Sequence, residues 1–586
     1  MSQAWIQIYD PLGNAWLSTV AAAFPIVLLL VTLGLLEWRA HIAALAALVS
    51  ALGVSTIVYG MPLVTALATA IYGAAYGFLP IGWIILNAVF LYQLTVATGQ
   101  FDVVKASVGR LSSDRRIQAL LVAFSFGAFI EGAAGFGTPV AICSALLIGL
   151  GFTPLYAAGL SLIANTAPVA FGAIGTPILT LAAVTDIPAM TISMMAGRQL
   201  PFVSLIVPAW LVATMSGWSG LRSVWPAVLV CGGSFATVQY LWSNLIGPEL
   251  VDIAAGLASI AALALFCRLW QPKDVWDFPE ARSSNRAQVV QPPRIDLSPA
   301  AVRRAWVPWV FLSVAVTLWG SAPVKALLNG GPSGLASYRS GQPVVASAML
   351  TPAWSVPGLD RLVFRDYPVD PIPVDRARLD DAAYQRTRAE AARFTLNWAS
   401  ATGTAILLAA IATALYLRVP FGQFIAVAVG TARRMRVALL TIMLMMALGF
   451  VTRYGGTDAT LGLAFTKTGW LYPFFGTFLG WLGVALTGSD TSSNVLFGSL
   501  QKITAQQLGF DPVLIVTANS TGGVMGKMID AQSIVVATAS TGQTGQEGKI
   551  LRFVFWHSMA LATIMAIIVM LQAFVFPWMI PEIPVK

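Results

Sequence analysis

The sequence predicts an all-α polytopic membrane protein with about 12–14 transmembrane helices, arranged as two structural repeats that each carry an interrupted or re-entrant helix pair. Three observations predict it. The first is composition: hydrophobic residues make up 57% of the 586-residue chain and charged residues only 10%, whereas soluble domains carry about 25% charged residues. The mean hydropathy is accordingly +0.77. The second is the form of the apolar runs, which are continuous and long enough for helical spans of about 20 residues. Membrane β-barrels read instead as short alternating segments with a polar inner face. The third is that two runs break at membrane depth around polar and glycine residues, in corresponding positions of the two halves.

The whole chain, 1–586, reads as a single transmembrane domain. Its first apolar run, 16–36, follows a stretch without Lys or Arg and precedes no small-residue cleavage site. It therefore fits a retained span rather than a signal peptide. Later runs include 41–60, 62–79, 80–98 and 306–328, and several others are too short or too glycine-rich for plain spans. Loop charge sets the orientation. Residues 99–117 carry Lys105, Arg110, Arg115 and Arg116, and residues 268–305 carry seven Lys or Arg, Arg282, Arg286 and Arg294 among them. With Arg433, Arg434 and Arg436 these segments are expected in the cytoplasm. The long loop 329–394 has nearly balanced charge, and one apolar run separates it from 268–305, so it is expected outside the cell. Arg39 fits less well, because three runs separate it from 99–117.

The first break is Ile130-Glu131-Gly132-Ala133-Ala134-Gly135-Phe136-Gly137-Thr138-Pro139, within a first repeat core at 118–196. The second is Leu486-Thr487-Gly488-Ser489-Asp490-Thr491-Ser492-Ser493-Asn494, within a second core at 437–541. Glycines and a proline loosen the helix there, while hydroxyl and amide side chains bond the freed peptide groups. Such backbone survives in a bilayer only when buried in protein or lining a watery cavity. Glu131 and Asp490 lie 359 residues apart, and Gly151-Phe152-Thr153-Pro154 and Gly509-Phe510-Asp511-Pro512 lie 358 apart. Asn165-Thr166-Ala167-Pro168 and Asn519-Ser520-Thr521-Gly522 follow at an offset of 354. Paired interruptions of this kind point to a midplane binding site in a carrier. The number of crossings between the repeats, which decides whether they are inverted, is left open by the runs alone.

Other function classes find little support. Cys143, Cys231 and Cys267 have no metal-ligand spacing, and His41 and His557 have no companions, so neither a metal nor a cofactor is expected. The net charge of +9 comes with no basic-aromatic patch, so nucleic acid is not an expected partner. The glycines at 132–137 follow no strand and are not a phosphate loop.

The stretch Gly127-Ala128-Phe129-Ile130-Glu131-Gly132-Ala133-Ala134-Gly135-Phe136-Gly137 resembles the signature of the L-lactate permease family. So do Asn165-Thr166-Ala167-Pro168-Val169-Ala170-Phe171-Gly172, Thr487-Gly488-Ser489-Asp490-Thr491-Ser492-Ser493-Asn494 and Asn519-Ser520-Thr521-Gly522-Gly523-Val524-Met525-Gly526-Lys527. The resemblance extends from Tyr9-Asp10-Pro11 to the last span. It implies uptake of lactate, and often glycolate, with a proton across the bacterial plasma (inner) membrane. The segment around 330–395 is longer and more charged than the family pattern, and Arg453 and Asp530 fall outside its motifs.

A carrier of a 2-hydroxy acid must bind a carboxylate and a hydroxyl, and must hold a proton. Helix N-termini exposed at a break suit the carboxylate. Thr138, Ser489, Thr491, Ser492, Ser493 and Asn494 sit at the helix restarts, where they serve either as substrate contacts or merely as caps. Asn165, Thr166 and Asn519 are expected to line the same region, or only to mend a helix break. Glu131 and Asp490 are the candidate proton carriers, because an ionised carboxylate at mid-bilayer costs about 2.5–3.5 kcal/mol on insertion scales. Each can instead be a structural carboxyl bonded to broken backbone. Lys527 is open to pairing with Asp490, Glu131 or Asp530, to meeting the substrate, or to snorkelling at an interface. The rival readings are a passive organic-anion channel, which conducts without accumulation, and a membrane-embedded enzyme, for which no cofactor motif speaks. The sequence leaves the oligomeric state open.

Overall fold

Long apolar segments have no water with which to bond their peptide groups, so they satisfy them internally, as helices. The computed structural model describes residues 4–582 apart from 35, 37, 110, 136, 279–295, 321–323, 325–326, 330–350 and 544–545. Phe136, Arg110, Arg282, Arg286, Arg294 and the start of the long loop thus lie outside the described residues. The spanning helices are apolar on the outside. Ala15–Gly34 exposes Trp16, Leu17, Val20, Phe24 and Val27 and buries Ala22 and Leu29, as a lipid-facing stripe requires.

Among the described residues ten helices are long and apolar enough to cross a membrane, or eleven when the bent pair Pro154–Ala164 and Val169–Thr185 counts as one span. These helices divide the chain differently from the apolar runs. The runs 62–79 and 80–98 form one element, Leu63–Ala97, kinked at Leu79. It lies antiparallel along Phe421–Gly455. Gln423 donates to the Ala97 carbonyl at one end, and Gly73 abuts the Met446 and Ala447 backbone towards the other. In the opposite sense, Leu200–Leu245 doubles back at Gly217, so that Ser204 Oγ donates to Gln239 Oε1 across its two arms at 2.7 Å. The merged element also accounts for Arg39. Two crossings, not three, separate it from 99–117, which places it on the face that carries the basic segments.

That basic face is opposed by a loop face. On the loop face, strand Trp5–Ile6 pairs in parallel with Val363–Phe364, and Ala353–Ser355 pairs antiparallel with Arg393–Thr395. Within this frame stand two units of the same plan. In the first, Arg115–Ala133 and Thr138–Gly149 form a hairpin, its arms tied by Cys143 Sγ donating to Val122 O at 3.1 Å. A broken span follows, Pro154–Ala164 then Gly172–Thr185. In the second, the hairpin is Tyr472–Thr487 with Asp490–Leu508, tied by Ser493 Oγ to Gly480 O (3.2 Å) and Gln501 Nε2 to Gly476 O (2.7 Å). Its broken span is Pro512–Gly526 then Ala531–Thr541.

The mouth of the first hairpin is held at the basic face. Arg115 pairs with Asp277 at 3.1 Å, Arg116 donates to Asp274 O at 2.7 Å, and the Phe152 and Phe278 rings are 5.3 Å apart. The mouth of the second lies at the loop face, where Gln507 Nε2 donates to Pro368 O at 2.8 Å. The two units therefore enter the bundle from opposite ends, the inverted arrangement that the runs alone left open.

Candidate functional site

The second tip is a helix end and a helix start with almost nothing between. Gly488 takes the left-handed conformation (φ 71°) that ends Tyr472–Thr487, a position where a Cβ is penalised. Ser489 then caps the next helix, accepting from Ser492 N at 3.2 Å. The first turn of Asp490–Leu508 accordingly presents Asp490, Thr491 and Ser492 inside the bundle. Asp490 is buried; its Oδ2 accepts from Ser520 Oγ at 2.5 Å and from Asn494 Nδ2 at 3.4 Å, while Oδ1 has no hydrogen-bond partner among the described residues. Lys527, also buried, donates to the Gly488 carbonyl at 2.6 Å and pairs with Asp530 at 3.2 Å. Of the partners open to it from sequence, the lysine thus takes Asp530, which in turn caps Ala531–Thr541.

The first tip brings Glu131 to the last turn of its arm, where it is buried. Its carboxyl rests on Gly172, where the second half of the broken span begins. There Ala173, Ile174 and Gly175 are all left-handed (φ 44°, 57° and 71°). For the two non-glycine residues this costs on the order of 1–2 kcal/mol each. Such strain persists where the surroundings over-determine the backbone, and it concentrates at functional sites. Glu131 Oε2 and both polar atoms of the buried Asn165 side chain make no hydrogen bond of regular geometry among the described residues, although Asn165 stands close enough to act on the Glu131 carboxyl.

Both tips line one cavity of about 290 Å³. Of the residues singled out from sequence, it brings together Glu131, Ser489, Asp490, Thr491, Ser492 and Lys527. The remainder stand off its wall. Thr138 begins the second arm of the first hairpin, and Asn165 ends Pro154–Ala164. Thr166 donates to Ile163 O at 2.7 Å, Ser493 ties the second hairpin, and Asn494 Nδ2 donates to Pro177 O at 3.2 Å. Asn519 Nδ2 donates to Asn494 Oδ1 at 2.9 Å. Sequence reading missed the far wall, Val437 to Met445 on one face of Phe421–Gly455, as well as Thr487 and Gln532. It also missed Asp252, fully buried beside Gly132. An acid at the start of an apolar run was the only signal.

A second cavity, of about 240 Å³, lies towards the loop face among Asp186, Arg365, Asp370, Glu390, Arg453 and Lys502. Arg453 pairs with Asp186 and, at 3.1 Å, with Glu390; Arg365 meets Glu390 at 2.8 Å; Lys502 donates to Thr185 O at 2.6 Å. Burial alone would push the Glu390 carboxyl up, but the Arg365 and Arg453 guanidiniums outweigh it and hold the carboxyl at about 2. A depressed carboxyl pKa stabilises the fold fully above its ordinary 4.5, and that contribution is lost as pH falls towards 2. The thermal unfolding midpoint is therefore expected to drop across this window, and Glu390→Gln to lower it at neutral pH while flattening the acid limb. An acid limb of unchanged slope in that variant would assign the window to other groups.

The family model described as L-lactate permease matches residues 18–576. An L-lactate permease of Escherichia coli K12 is 46% identical over 577 residues, covering 98% of this chain and 100% of its own. The glycolate permease GlcA of the same organism is 46% identical over 584 residues, covering 98% and 99%. Among solved structures, the Alcanivorax borkumensis YdaH transporter aligns with 88% of this chain and 89% of its own, at 15% identity and a TM-score of 0.42.

Proposed function

The chain belongs to the L-lactate permease family, and from that premise we propose that it is a secondary transporter taking up lactate or glycolate with a proton across the bacterial plasma membrane. One observation carries the reading. Two re-entrant tips, arriving from opposite ends of the bundle, expose two buried acids and a helix N-terminus to a single cavity. The substrate carboxylate fits the free N–H groups of the first turn at Asp490–Leu508, and its hydroxyl fits Thr491 and Ser492. Lys527 bonds Gly488 and Asp530 and also lines the cavity, so it shapes the tip and brings a cation to the site of the anion. Glu131 and Asp490 hold the proton. One monocarboxylate moving with one proton transfers no net charge.

By the positive-inside rule the basic face is cytoplasmic and residues 351–396 lie outside. The cavity reaches Ala40 and Val437 on the cytoplasmic side, while the Arg453 cluster closes the other. This matches the inward-facing state of alternating access.

Purified protein in liposomes is expected to accumulate labelled lactate when the exterior is made acidic, with unlabelled lactate and glycolate competing. Conductance without accumulation would instead make it a channel.

A further inference from the structure

Asp252 occupies the first turn of Val251–Leu269, with none of its surface exposed and with neither carboxyl oxygen hydrogen-bonded among the described residues. It is not part of the cavity wall but stands directly behind it. The helix packs against the arm that carries Glu131. Gly132 is the point of contact: a Cβ there would lie 2.8 Å from Asp252 Cβ and 2.9 Å from Ile253 N. No side chain therefore stands at Gly132 to hold the two helices apart next to Glu131.

Among the described residues, Glu131, one position from that contact, is the charged group whose field reaches Asp252. The second arm of Leu200–Leu245 contributes Cys231, two turns along beside Ser259, and Gly172–Thr185 carries no charged residue before its end. On its other side Glu131 feels Lys527 and Asp530. Among the described residues no cation acts on Asp252.

A carboxylate buried without partners is among the costliest groups a protein can hold, and it neutralises by taking a proton. Two buried carboxyls on helices in contact repel each other when both are ionised, so at least one of them keeps a proton. We propose that Asp252 is a second proton-holding carboxyl of the transporter, sharing with Glu131 the proton that accompanies the substrate. The two carboxyls are not hydrogen-bonded to each other in this state, so the proton passes from an Oδ of Asp252 to an Oε of Glu131, or returns, when a side-chain rotation or a bridging water joins them, and the pair carries one negative charge or none throughout. Glu131 faces the substrate cavity, and Asp252 is the reservoir behind it. The assignment rests on the proton-coupled reading above.

The test compares wild type, Asp252→Asn and Asp252→Glu in liposomes. Two modes are read: lactate accumulation driven by an acidic exterior, and exchange of internal unlabelled for external labelled lactate, which moves no net protons. Asp252→Asn is expected to lose driven accumulation far more than exchange, and Asp252→Glu to restore their ratio. Infrared spectra should show a protonated-carboxyl C=O band that vanishes in the Asn variant and shifts in the Glu variant. A ratio and band in Asp252→Asn equal to wild type would overturn the proposal. Should the Asn variant not fold, a band unmoved by Asp252→Glu overturns it equally. Wild type without driven accumulation would sink the coupled reading instead, and the infrared band would still report on Asp252.

Discussion

Glu131→Gln is expected to abolish the acceleration of lactate uptake by an acidic exterior. The carboxyl is buried at the first tip, lines the cavity and leaves Oε2 without a partner. Gln keeps the shape and hydrogen-bonding capacity but can neither take nor release a proton. If the proton and the substrate bind together, the variant loses the driving force of the proton gradient while the cavity persists. Its uptake should become flat across external pH, and the alkalinisation that accompanies wild-type uptake should disappear. Unchanged pH-driven uptake would remove Glu131 from the proton role and leave Asp490 as the acid at the cavity. Asp490 is the harder residue to test. Its Oδ2 already holds Ser520 and Asn494, so its removal also loosens the second tip.

Lys527→Met is expected to have the larger effect on the fold. The ammonium joins the Gly488 carbonyl to Asp530, and both carboxylate and lysine are buried. Removing one member of a buried ion pair costs ~3–5 kcal/mol, because it strands the other charge. Here the stranded group is also the cap of Ala531–Thr541. The unfolding midpoint in detergent should fall sharply for Lys527→Met, and adding Asp530→Asn should recover part of the loss. The cap would survive in that double variant, since an Asn accepts at this position nearly as well as an Asp. An unshifted midpoint in the single variant would mean that the pair does not hold the tip.

Much of this site was legible in the sequence because its parts are local. Gly488, Ser489 and Asp490 announce a helix end and restart within three residues, and the glycines around Glu131 do the same. The number of spans was less legible. The seam between runs 62–79 and 80–98 carries a glycine and a proline, the residues that usually separate two helices, yet packing along Phe421–Gly455 carries both halves across in the same direction despite the kink. Asp252 escaped notice for a different reason. An acid in the first turn of a helix is ordinary punctuation, and its burial depends on a glycine 120 residues earlier in the chain. Arg453 and Asp530 lay outside the recognised motifs, but each turns out to be paired inside the structure, because a lone charge at that depth cannot persist.

The meeting of the two tips also sets the order in which the protein can be made. Asn494 bonds Pro177 O and Lys502 bonds Thr185 O, each across 317 residues. Contacts so distant in sequence form late, since the chain between them must first be ordered. When the first unit leaves the ribosome, the residues that complete its cavity have not been synthesised. Glu131 and Asn165 must wait in the bilayer, half enclosed, until the second hairpin docks. Premature termination anywhere before Asp490 therefore leaves an unsatisfied polar seam in lipid, the kind of surface on which quality-control proteolysis acts. Transport competence and escape from degradation become the same late event.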